Sequence, residues 1–384
     1  MPYDAVRTPT LLLDQDVCRR NIERMAGKAK TRGLAFRPHF KTHQSRLVGS
    51  WFRDAGVERI TVSSLHMAEY FADDGWKDIT VAFPVNLREM ATINRLARRL
   101  RLQLLVESAS VVRSLHRELL HDVGVYLKID TGYGRSGIRH DDAAAIDALL
   151  REIDNSPRLR FEGILTHGGD SYEASDADDI VRRFARSRDR LAACAARIRE
   201  THTNITVSVG DTPGCSLAED FDGIDEIRPG NFVFYDAMQL RLGSCAAADI
   251  AVALACPVTS LHPDRCEAVV YGGSVHLSKE AMRDENGEVS YGKVVILTDD
   301  GWSPPLPDTR VRGLSQEHGI IRTTPEILAL LHEGALIAVL PVHSCLTASC
   351  MRGYLMLDGE NADHLAGIPY SAMPPQQENH DRIR

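Results

Sequence analysis

From Leu34 to about Asp236, short apolar or β-branched runs alternate with longer stretches of helical period, the rhythm of repeated βα units around a parallel sheet. Strands are predicted to begin near Leu34, Ile60, Ile79, Leu102, Val123, Phe161, Ile205 and Ile227, with amphipathic helices over 86–100, 142–153 and 177–200. Eight strands, each followed by a helix or turn, predict a closed (β/α)8 barrel; an open doubly wound sheet shares this periodicity and stays open as an alternative. Beyond Gly243 the rhythm changes. Strand-like runs at 250–255, 268–271, 293–297 and 336–340 are separated by Gly-, Pro- and Asp-rich turns, with helical pattern confined to 325–331. The fold class is therefore α/β: an N-terminal TIM-type barrel over 10–245 and a C-terminal β-rich unit over 246–375 joined by 1–9. The strand-like segment 9–14 is expected to cross between the two. The polar tail 374–384 is expected to be disordered.

Size and charge narrow the class. A chain of 384 residues is too long for one ordinary core and suits two units. Its net charge of −8 comes from acidic and basic residues mixed along the chain, so no basic stripe recommends nucleic acid or an anionic membrane. No apolar run approaches the ~20 residues of a membrane span, and Met1-Pro2-Tyr3-Asp4 lacks the regions of a signal peptide. These features point to a cytoplasmic protein with a small-molecule partner. Eight cysteines at irregular spacing do not form a disulfide framework and read mostly as small buried hydrophobes.

Against that background a few segments carry chemistry. Lys41, in Arg37-Pro38-His39-Phe40-Lys41-Thr42-His43, lies just past the first predicted strand, where barrel enzymes place catalytic groups. A lysine there can form an imine with an aldehyde cofactor, and nearby cations or partial burial would keep it nucleophilic. Taken alone it reads first as an exposed or helix-capping lysine. Gly210-Asp211-Thr212-Pro213-Gly214 follows the seventh strand and Arg228-Pro229-Gly230-Asn231 the eighth, the two loops with which barrels often bind phosphate. Arg135 and His167 end the fifth and sixth strands and could flank a cofactor ring or a carboxylate. The segment Gly132-Tyr133-Gly134-Arg135-Ser136-Gly137 lacks the spacing and position of a dinucleotide fingerprint, which sets nicotinamide aside. His343 and Cys345 follow a strand-like run and, on extended chain, would point to the same side; imidazole with thiolate favours zinc and leaves coordination positions open. A buried cysteine beside a core histidine is the plain alternative.

Read together, these segments carry a family resemblance. The opening Thr8-Pro9-Thr10-Leu11-Leu12-Leu13-Asp14, the lysine segment, the Gly132–Gly137 segment, Arg228-Pro229-Gly230-Asn231 continuing to Asp236, Ser315-Gln316-Glu317-His318-Gly319 and Pro341-Val342-His343-Ser344-Cys345-Leu346-Thr347 resemble, in order and over most of the chain, the D-serine dehydratase and D-threonine aldolase group of alanine-racemase-like pyridoxal phosphate enzymes. The resemblance implies pyridoxal 5'-phosphate in the barrel, a C-terminal β domain and a homodimer with sites near the subunit interface. Lys41 would occupy the Schiff-base position. Arg135, His167 and Tyr172 would line the cofactor, Gly210, Thr212, Gly230 and Asn231 would surround its phosphate, and His343 and Cys345 would hold a divalent metal. The aldolases of the group carry His-x-Asp, suited to manganese or magnesium, and the dehydratases His-Ser-Cys with zinc. The softer Cys345 favours the dehydratase branch. The implied reaction turns a D-3-hydroxy amino acid such as D-serine into a 2-oxo acid and ammonia, the alternative being aldol cleavage to glycine and an aldehyde. Cys350 and His318 are further candidates for the metal.

Overall fold

The computed structural model describes residue 3 and residues 5–284 and 287–367. The tail 374–384 and the limit at 375 lie outside the described residues. Eight parallel strands, Ala35–Phe36, Ile60–Val62, Asp78–Pro84, Arg101–Val106, Val123–Asp130, Leu159–Leu165, Thr206–Val209 and Glu226–Ile227, pair in chain order, and the last pairs with the first. The first and second join where the chain continues past Phe36: Thr61 donates its N–H to Pro38 O, and Phe40 donates to Thr61 O, both at 2.9 Å. The barrel is closed and the doubly wound alternative falls away. These strands form where apolar runs such as Val123–Asp130 are buried on both faces. The intervening helices begin where a polar side chain caps them: Ser45, Ser64, Ser108, Asp142 and Asp176 each accept a first-turn N–H.

A polar layer lies inside the barrel. Arg37, 2% exposed, donates to Glu226 at 2.8 Å and to Asp78 at 2.5 Å. That pairing satisfies all three charges away from water and turns Arg37 down the barrel axis, away from the rim that carries Lys41.

In the second unit, Glu267–Tyr271, His318–Arg322, Arg310–Leu314, Gly292–Val295, Leu336–Pro341 and Val252–His262 form an antiparallel ring, closed by pairing of the last strand with the first. Thr10–Leu13 pairs antiparallel with Val252–His262 and parallel with Tyr354–Met356. The crossing strand is thus present. Its residues 10–13, which the 10–245 boundary assigns to the barrel, are hydrogen-bonded into the second sheet.

The chain after the strand Leu336–Pro341 departs from expectation. His343 is extended, but Ser344–Met351 is a helix. The cause is local: the Asp236 carboxylate accepts the Ser344 N–H at 3.0 Å, and small residues let the helix pack tightly, with Ser344, Thr347 and Ala348 fully buried.

Candidate active site

The C-terminal rim of the barrel and the second unit enclose a cavity of about 680 Å³. All ten residues singled out in the sequence, Lys41, Arg135, His167, Tyr172, Gly210, Thr212, Gly230, Asn231, His343 and Cys345, line it. Four others highlighted with them do not. Arg37 is inside the barrel, and His43 packs against Phe40 and Phe52, where burial pushes its pKa down to about 3 and keeps it neutral. Cys350 and His318 are absent from the cavity wall; Cys350 bonds to the backbone of Ser278, and His318 is exposed on its strand opposite Tyr271.

Lys41 stands on a turn anchored from below. Phe40 plugs the space between Phe52, Phe71 and Trp76, with ring centres 4.9–5.1 Å away. The Lys41 N–H donates to His39 Nδ1 at 3.3 Å, and Gln44, at φ +49°, donates its side-chain amide to Lys41 O at 3.1 Å. The lysine side chain is left exposed to the cavity.

The same cavity is lined by three more basic side chains, Lys128, Arg135 and Arg228. Lys128 is 6% exposed, and burial, then Arg228 and Arg135, bring its pKa down to about 7. Burial and the same cations, with Lys41, hold His167 and His39 well below the usual histidine range, so both are neutral. His167 Nδ1 donates to Gly210 O at 2.5 Å, which leaves Nε2 as the acceptor nitrogen. Tyr172 is hydrogen-bonded to the Thr212 backbone, and the Thr212 hydroxyl accepts the Phe232 N–H at 3.2 Å. Gly210 and Gly230 let strand ends approach: a Cβ on Gly230 would come within 2.8 Å of His39 O, and one on Gly210 within 3.0 Å of Arg228 O. These glycines fix the rim on which any anion would rest.

On the same cavity wall His343 and Cys345 are hydrogen-bonded to each other. Burial would raise the Cys345 thiol, but His343, Lys41 and Thr42 outweigh it and bring the pKa down to about 7. Burial opposes the charge on His343, yet Cys345 and Asp236 hold its pKa up to about 9. The extended-chain argument for their pairing fails, because Cys345 is in the first helical turn; the pair meets because His343 is the residue at that helix's N-cap. Thr42 Oγ1 lies 3.2 Å from Cys345 Sγ, so the lysine turn and the thiolate touch. Asn231 stands nearer this pair than an open phosphate loop would require: its amide donates to Asp236 at 2.7 Å and Ser344 Oγ at 2.9 Å, and lies 3.6 Å from Cys345 Sγ.

Lys128 was not singled out in the sequence, and Thr42, Arg228 and Asp236 stood there only as members of longer motifs. A signal existed for Asp236, which closes the Arg228–Asp236 motif, and for Lys128, a lone cation in the run Val123–Asp130.

The chemistry of these groups fits the implied cofactors. Lys41, Lys128, Arg135 and Arg228 share one cavity, the setting for a ligand with phosphate and carboxylate charges. A thiolate with an imidazole suits a soft divalent ion. Among the described residues no third His, Cys, Asp or Glu joins the pair, so a bound ion would keep positions for water or substrate.

Fold and site define a class: an alanine-racemase-type barrel joined to a β domain, with a lysine and a His–Cys pair lining one small-molecule site. Residues 13–237 match the family model for the alanine racemase N-terminal domain, and residues 251–357 that for a serine dehydratase domain. The D-threo-3-hydroxyaspartate dehydratase of Delftia sp. (strain HT23) is 31% identical over 366 residues, covering 92% of this chain and 95% of its own. Its solved structure superposes with a TM-score of 0.86 at 30% identity, over 94% and 98% of the two chains. A variant of that enzyme has been solved in a metal-free form, with a TM-score of 0.87 at 30% identity over 94% of this chain and 98% of that one. The D-serine dehydratase of Dictyostelium discoideum is 28% identical over 93% of this chain and 94% of its own, and the 3-hydroxy-D-aspartate aldolase of Paracoccus denitrificans (strain Pd 1222) 30% identical over 62% of each. The chain belongs to the D-serine dehydratase-like group of the alanine-racemase-like enzymes.

Proposed function

We propose that this protein is a pyridoxal 5'-phosphate- and zinc-dependent dehydratase of a D-3-hydroxy amino acid such as D-serine, releasing a 2-oxo acid and ammonia. The observation that carries the reading is the hydrogen-bonded His343–Cys345 pair sharing one cavity with Lys41 and joined to its turn by Thr42. In this reading Lys41 carries the cofactor, with Arg135, His167, Tyr172, Gly210, Thr212, Gly230 and Asn231 around it, and His343 and Cys345 hold the metal. When bound, pyridoxal phosphate supplies an electron sink for charge at Cα, and zinc supplies a Lewis acid for departure of the β-hydroxyl.

The chain's own groups do the rest. Lys41 Nζ takes the Cα proton, the step for which a primary amine at the rim is suited. Arg135 and Lys128 balance the substrate carboxylate. His167, fixed through Nδ1 by Gly210 O, presents Nε2 in one orientation. Thr42 and Asn231 hold the Cys345 thiolate in place. The eliminated product leaves as an enamine, which water converts to the 2-oxo acid and ammonia. A homodimer in the cytoplasm completes the proposal.

The aldolase relative favours a second reading, cleavage to glycine and an aldehyde with manganese or magnesium at the metal position. Incubating zinc-supplemented protein with D-serine, D-threonine and the D-3-hydroxyaspartates separates the two. Equal amounts of oxo acid and ammonia support the dehydratase; glycine with an aldehyde overturns it.

A further inference from the structure

The residues from Thr42 to Leu47, which follow the lysine, are each tied to the second unit. Thr42 meets Cys345, and Tyr354 donates its hydroxyl to His43 O at 2.6 Å. Leu365 donates its N–H to Gln44 O at 2.7 Å, and the Gln44 side chain reaches Ser349 Oγ at 2.9 Å. The last three converge on one carboxylate. Asp363, 1% exposed, accepts Ser45 Oγ at 2.7 Å, Arg46 N at 3.0 Å and Leu47 N at 3.2 Å, and also the Tyr70 hydroxyl.

This arrangement fixes the exit of the lysine turn. Arg46 and Leu47 open the helix Arg46–Asp54, whose first N–H groups have no partner within the helix. Ser45 satisfies Val48 N from within the barrel unit, but Arg46 N and Leu47 N are satisfied by a residue more than three hundred positions away. Upstream, Phe40 is locked in the aromatic cluster and hydrogen-bonded to Thr61. Lys41 therefore stands on a short span whose two ends are set separately, one by the barrel core and one by Asp363.

We infer that Asp363 is a positioning residue for Lys41, acting through the Gln44–Leu47 turn without touching the reacting atoms. The inference rests on the reading of Lys41 as the pyridoxal phosphate lysine. Replacing one carboxylate oxygen by an amide leaves a donor facing either Leu47 N or Arg46 N, and a backbone N–H, unlike the Ser45 and Tyr70 hydroxyls, cannot turn away. The Asp363→Asn turn loosens without loss of any cavity-lining side chain.

The test compares Asp363→Asn with the parent and with Asp142→Asn, the same substitution at the cap of the distant helix Ala143–Asp154, where one oxygen suffices as acceptor. Pyridoxal phosphate is titrated into resolved protein by absorbance, and turnover is expressed per bound cofactor. Asp363→Asn is expected to bind the cofactor about tenfold more weakly and to lose about tenfold in kcat with KM little changed, the cost of a misplaced group. Asp142→Asn is expected to match the parent in both once corrected for folded protein. Cofactor affinity and per-cofactor kcat both unchanged in Asp363→Asn would overturn the inference. Should that variant fail to fold, Tyr70→Phe removes one donor from the same carboxylate; a smaller loss in both readouts supports positioning, and no loss overturns it. A parent that takes up no pyridoxal phosphate overturns the functional reading and this inference together, whereas uptake with an unchanged variant overturns this inference alone.

Discussion

Lys41 and Cys345 divide the proposed labour, and their substitutions separate it. Lys41→Ala is expected to abolish the visible absorbance of bound cofactor; Cys345→Ala is expected to keep that absorbance while zinc content and most turnover are lost, checked by metal analysis beside the spectrum. Lys128 contributes differently. Its pKa of about 7 against an ordinary 10.5 means the unfolded chain binds more protons between those values, so the ligand-free protein gains stability from this group as pH rises through that window and carries the burial cost below it. Lys128→Met is expected to stabilise the ligand-free protein at pH 7 by up to about 4 kcal/mol and to weaken binding of the anionic cofactor. Paired chemical melts at pH 7 and pH 10 check the sign, because the gain should shrink at the higher pH. Lysine, histidine and cysteine at the site were legible because each sits in a short motif. Lys128, a lone cation in an apolar strand, gave a weaker signal, because such a lysine looks like an end-of-strand charge until the arginines beside it are placed by the fold.

At the scale of elements, the barrel strands were legible because β-branched runs alternate with amphipathic helices, and observed strands begin within two residues of the predicted starts. The helix Ser344–Met351 was hidden for the opposite reason. Ser-Cys-Leu-Thr-Ala-Ser-Cys-Met has no polar face, and what makes it helical is Asp236, over a hundred residues upstream. That carboxylate accepts Ser344 N and the Asn231 amide with one oxygen and Gln239 N with the other. Asp236→Asn must leave one of these donors facing an amide. The expected outcome is zinc affinity lower by about ten- to a hundredfold, as for other outer partners of metal ligands, with a modest drop in Tm. Competition with a chromophoric chelator measures the first and calorimetry the second.

Across the whole molecule, the second unit is not continuous in sequence. The strand Thr10–Leu13 completes the second sheet between Val252–His262 and Tyr354–Met356, and Leu12 is fully buried there with Tyr3, Val6, Ala255 and Leu355. Leu12→Ala is expected to cost about 2–5 kcal/mol, read as a lower urea midpoint of the whole chain. The crossing strand could be suspected from its apolar run, but its partners could not, since register between segments hundreds of residues apart leaves no local trace. That same strand sets a timetable. It is translated well before either neighbour, with Tyr354–Met356 the later of the two, and at roughly 5–20 residues per second the wait is tens of seconds. The barrel can close in that interval, but the lysine turn remains unfastened until Asp363 emerges, so a nascent chain acquires its shape well before its chemistry.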